Sequence, residues 1–60
     1  MTVVEMEDFF HSLINLTYNT AEKEIEKISV IVNIGNVETT YNLLYMRNRV
    51  IILAYQKVLV

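Results

Sequence analysis

Sixty residues with no cysteine, one histidine and a formal charge of −2 leave room for one domain and exclude disulfide staples and thiolate metal sites. A chain this short buries only about 60% of the surface its unfolded form exposes, so its own core is marginal. Hydrophobic residues still make up 53% of the sequence, which directs some of them to an interface and makes a homo-oligomer, or another protein partner, the expected staple.

The charge is unevenly placed. Residues 1–27 hold Glu5, Glu7, Asp8, Glu22, Glu24 and Glu26 against Lys23 and Lys27, a balance of −4. Residues 28–60 hold Arg47, Arg49 and Lys57 against Glu38, a balance of +2. That asymmetry can steer a partner, but it falls short of the basic face that nucleic acid requires. No run approaches the roughly 18 apolar residues of a membrane span. The acidic start lacks the basic region of a secretory signal, so the cytoplasm is the expected location. In that setting the glycosylation sequon Asn15-Leu16-Thr17 reads as chance.

The first half reads as helix, over residues 3–27. Thr2-Val3-Val4-Glu5 matches a capping box, in which hydroxyl and carboxylate satisfy each other's orphan backbone donors. Glu5, Glu7 and Asp8 follow where the helix dipole favours negative charge. Met6, Phe9, Phe10, Leu13, Leu16 and Thr17 then make one stripe at three- and four-residue spacing. A second stripe runs through Ile14, Tyr18, Ala21, Ile25 and Ile28. Between them lie the mediocre helix formers Thr17 to Thr20, where Asn19 or Thr20 offers a fresh cap. One bent helix and two short ones both fit.

From Ile28 the period changes to two. Ile28, Val30, Val32 and Ile34 alternate with Ser29, Ile31 and Asn33, up to the two-residue hairpin signal Gly35-Asn36. Val37, Thr39, Tyr41, Leu43 and Tyr45 follow, alternating with Glu38, Thr40 and Asn42. A two-residue turn pairs Ile34 with Val37 and Ile28 with Leu43, which puts both apolar sets on one face. Arg47-Asn48-Arg49 is the next polar cluster, and Val50 to Tyr55 is a continuous apolar run that suits a strand buried on both faces. The expected fold is α+β: an N-terminal helix packed on a three-stranded antiparallel meander over residues 28–60. A helical hairpin dimerising into a four-helix bundle competes with it. Val37, Tyr41, Leu44, Asn48, Ile51, Tyr55 and Val58 keep heptad spacing, as do Ile14, Tyr18, Ala21, Ile25, Ile28 and Val32. The meander is preferred because its turn and two alternations would otherwise have to agree by accident.

The catalytic inventory is thin. His11 and Ser12 are neighbours, which on a helix point about 100° apart and form no dyad. His11 reads as structural, with Glu7 and Asp8 at helical spacing as its local partners. Glu22 and Glu26 read as one charged helix face shared with Lys23 and Lys27. A single glycine excludes a Gly-rich phosphate loop, and no metal or cofactor motif is present. The expectation is therefore a non-enzymatic interaction or oligomerisation module, a small accessory or regulatory protein without a cofactor. With one sheet face under the helix, Ile31, Leu44, Met46, Val50 and Ile52 are the expected contacts on the other.

Arg47, Arg49, Tyr55 and Lys57 are the candidates for nucleic-acid contact, since cations beside aromatic faces suit single strands. Tyr41-Asn42-Leu43-Leu44-Tyr45 followed by Arg49-Val50-Ile51-Ile52-Leu53 resembles the closing strands of small RelE-type ribonuclease toxins. The resemblance covers under half of the chain, and that fold's first strand has no clear counterpart. It implies a sheet whose basic and aromatic residues bind and cut mRNA, with Arg49, Tyr55 and Lys57 in those positions. Three cations supply little phosphate affinity, and the acidic half opposes it.

Overall fold

A computed structural model of the chain describes residues 1–17 and 24–60. One helix, α1 (Val3–Thr17), precedes three strands, β1 (Ile25–Ile34), β2 (Val37–Met46) and β3 (Arg49–Leu59). The strands form one antiparallel sheet in the order β1-β2-β3. This is the α+β meander, and the helical bundle is not what the chain adopts.

The helix begins where its cap predicts. The Thr2 hydroxyl accepts the Glu5 N–H at 3.2 Å, while Glu5 Oε1 accepts the Thr2 N–H at 3.1 Å and the Thr2 hydroxyl at 2.9 Å. These bonds favour the ionised carboxylate and hold Glu5 below the usual carboxylate range, the Thr2 backbone bond first and its hydroxyl second. At the other end the Thr17 hydroxyl donates to the Leu13 carbonyl at 2.7 Å.

The start of β1 and the helix's buried line differ from the sequence reading. Residues 25–27 are strand rather than helix, because β1 pairs down to Ile25↔Met46 along the full length of β2. Helix propensity in Glu26-Lys27 is a weak preference, and a sheet ladder overrides it. Glu26 therefore does not share a helix face with Glu22. The second cap at Asn19 or Thr20 lies outside the described residues, as do Tyr18 and Ala21 of the second stripe. The helix also buries a different line. Phe10 and Ile14 are its buried residues and Met6 packs beside them, a spacing of four throughout. Phe9, Leu13 and Leu16 of the expected stripe face outward, Leu16 at 87% exposure.

The β1–β2 register is the one the turn dictates, from Ile34↔Val37 through Ile28↔Leu43. Gly35 has a φ of 59°, and no described residue other than glycine has a positive φ, so Gly35-Asn36 is the turn with glycine first. Leu43, Tyr45 and Val50 on one sheet face join Phe10 and Ile14 to make the core, flanked by Ile28, Val30, Val32, Tyr41 and Ile52. Burying each such side chain contributes about 1.5–3 kcal/mol. A helix of this length spans ~22 Å and the strands ~33 Å, so the sheet overhangs the helix.

β3 carries one irregularity. Leu43 pairs with Ile52 but Asn42 pairs with Ala54, so Leu53 is an extra residue, a β-bulge. Among the described residues only one helix covers the sheet, and the Val50–Tyr55 run is not buried on both sides. Val50 is buried, Ile51 and Ile52 are half-buried, and Leu53 is 52% exposed.

Candidate functional site

Antiparallel parity sorts the expected contact residues. Met46 pairs with Arg49 across the two-residue turn Arg47-Asn48, so Leu44, Met46, Arg49 and Ile51 share the face away from the helix. Ile31, opposite Thr40, lies on that face too and is 58% exposed. Val50 and Ile52 do not. They pair with Tyr45 and Leu43 on the helix side, Val50 within the core and Ile52 against it. Ile51 belongs to the uncovered face in their place. Treating Arg47-Asn48 as a two-residue turn was the sequence signal that would have assigned it. Ile25 and Val58, 66% and 50% exposed, complete the apolar part of the face.

Polar groups on the same face are arranged around that patch. The Ser29 hydroxyl donates to Asn42 Oδ1 at 3.0 Å across the β1–β2 pair. Lys27 and Arg49 lie toward the Arg47-Asn48 end, and Glu38 toward the Gly35-Asn36 end. No described helix or strand lies over this face. The face is thus apolar in part, with charges toward its two ends.

The four nucleic-acid candidates are not brought together. Arg47 occupies the turn and Arg49 the free face at the start of β3. Tyr55 and Lys57 pair with Tyr41 and Thr39 on the helix-side face. Eight residues of strand, ~26 Å, separate Arg49 from Lys57.

The helix side holds contacts that the sequence did not announce. His11 Nε2–H donates to the Arg47 carbonyl at 2.8 Å, which assigns the tautomer, and its ring stacks on Tyr45 at 5.5 Å between centroids. The Tyr45 hydroxyl donates to Asn15 Oδ1 at 2.6 Å. Glu7 Oε2 accepts the Ile52 N–H at 2.9 Å. The expected local partners of His11 are thus replaced by a neighbouring helix turn and the β2–β3 hairpin. Such contacts join residues 30 to 45 apart in sequence, and no local pattern marks them.

Beside this clamp lies an open groove of about 630 Å³, lined by Val3 and Met6 of the helix and by Tyr41, Ile52, Tyr55 and Lys57 of the sheet, among others. Phe10, Tyr41 and Tyr55 form an aromatic row along it, at 5.0 and 6.0 Å. Among the described residues no three metal-ligating side chains converge, and no helix is long and apolar enough to cross a membrane. No protein-family model matches the sequence, and no curated protein or solved structure is significantly similar to it.

Proposed function

We propose that the chain is a non-enzymatic protein–protein interaction or oligomerisation module, an accessory or regulatory protein of the cytoplasm. Its working surface is the sheet face away from the helix. One observation carries this reading: Ile25, Ile31, Leu44, Met46, Ile51 and Val58 share a face that no described element covers. Covering it offsets the marginal core of a short chain, which links the interaction to stability. The RNA-directed alternative gains nothing from the separation of Arg49 from Lys57.

Leu44→Lys tests the proposal, because the central strand keeps its register while a charge enters the middle of the patch. The expected result is loss of the self-associated or partner-bound species, read by light scattering and by recovery from lysate, with an unchanged circular dichroism spectrum. An unmodified chain that stays solitary at high concentration and recovers no partner overturns it.

A further inference from the structure

The two outer edges of the sheet are finished differently. In β1 the closing pair Ile34↔Val37 sets the ladder's alternation, so even-numbered residues bond toward β2. Ile25, Lys27, Ser29, Ile31 and Asn33 direct their N–H and C=O groups outward instead. Among the described residues nothing on the main chain meets them. Outside the helix and strand ladders, the backbone bonds are Met6 N–H to the Thr2 carbonyl and Val60 N–H to the Asn36 carbonyl. On β3 the equivalent edge is interrupted by the bulge at Leu53 and sealed at Ile52 by the Glu7 carboxylate. β1 has no bulge, and its side chains alternate between exposed and half-buried from Ile25 to Ile31. A groove of about 350 Å³, lined by Leu13, Ile14 and Thr17 of the helix and by Ser29, Val30 and Ile31, runs over this edge.

We infer that the β1 edge binds a second copy of the chain, β1 against β1, antiparallel about a two-fold axis at Val30, to make one six-stranded sheet. This rests on the interaction-module reading but places self-association at the β1 edge, leaving the sheet face to a protein partner. The occupant must be an extended strand of about ten residues, apolar and β-branched on its helix side, and β1 is itself such a strand. Centring the axis at Val30 overlaps the strands almost completely. Ile28 then lies opposite Val32, Lys27 opposite Asn33 and Ser29 opposite Ile31 of the second copy. Apolar positions on the helix side meet apolar ones, and the two Lys27 ammonium groups sit at opposite ends. The odd-numbered residues exchange about eight main-chain hydrogen bonds. The contact is isologous, β1 meeting β1 about a two-fold axis, so it uses up the β1 edge of both copies and closes at two.

Cysteine chemistry tests the register, since the chain contains no cysteine. Val30→Cys places two thiols at a non-hydrogen-bonded site with Cα atoms ~4.5 Å apart, within disulfide reach. Mild oxidation should convert most of this variant to a covalent dimer. Ile28→Cys alone sits ~13 Å from its own copy and should form no covalent dimer, whereas mixing it with Val32→Cys should give the cross-link. Ser29→Pro removes an outward-facing amide and the Ser29–Asn42 bond but no apolar side chain of the sheet face, so its strand content should persist while the dimer mass in sedimentation is lost. An unmodified chain that remains monomeric to millimolar concentration overturns the inference. So does a dimer that ignores Ser29→Pro, fails to cross-link at Val30 and dissociates with Leu44→Lys. That second outcome leaves the interaction reading standing on the sheet face.

Discussion

The two hairpins of the sheet are held by different kinds of interaction. The Gly35-Asn36 hairpin stands on local chemistry: a glycine at φ 59°, unbroken register, matched alternation, and the Val60 N–H closing onto the Asn36 carbonyl at 2.8 Å. The helix reaches little of it, and Ile34 and Leu59 at that end are each 75% exposed. The Arg47-Asn48 hairpin is instead clamped from outside. Phe10 and Ile14 press on Leu43, Tyr45 and Val50, and His11 holds the Arg47 carbonyl. One end is ordered by what its own residues prefer, and the other by what has been laid on top of it.

Matched truncations at the two ends break this contrast most directly. Ile14→Ala, at the clamped end, should cost about 2–5 kcal/mol in denaturant unfolding. Ile34→Ala, at the overhanging end, should stay within about 0.5 kcal/mol when measured at the same protein concentration. A large loss at Ile34 would mean that the exposed end is covered in solution. Gly35→Ala comes next. No atom lies within 4 Å of the added Cβ, so the cost is conformational, about 1–2 kcal/mol. It should appear as a lower unfolding midpoint with little change in core packing.

Thr2→Ala is the smallest change and sharpens the comparison, because it touches neither hairpin. Losing the cap should cost about 0.5–1 kcal/mol at neutral pH, read from the thermal midpoint. The folded chain holds the Glu5 carboxyl below its usual range, so the capping-box contribution is present above the unfolded-state pKa. It is lost as pH falls through the folded value. The midpoints of Thr2→Ala and the unmodified chain should therefore draw closer in acid, the remaining gap being the pH-independent bond from the Glu5 N–H to the Thr2 hydroxyl.

The elements whose rules are local were legible from the residues. The capping box, the turn with glycine first and the β1–β2 register each follow from side chains within a few positions of one another. The uncovered face was legible in part. Ile31, Leu44 and Met46 follow from that register, while Val50 and Ile52 were misplaced because an apolar run carries no alternation to count from. The helix's buried line was misread for a related reason. Phe9, Phe10, Leu13 and Ile14 are all apolar, and only the arrival of Leu43 and Val50 selects Phe10 and Ile14.

By itself, then, the sequence determined that the chain turns at Gly35, that β1 and β2 pair in one register, and that too much apolar surface remains for one small core. Tertiary structure decided which helix residues face inward, that residues 25–27 join β1, that Glu7 bonds the outward Ile52 N–H, and which sheet face no described element covers. The division has a physical cause. Turn geometry and strand alternation act over a few residues, whereas burial is settled only when surfaces distant in the chain meet.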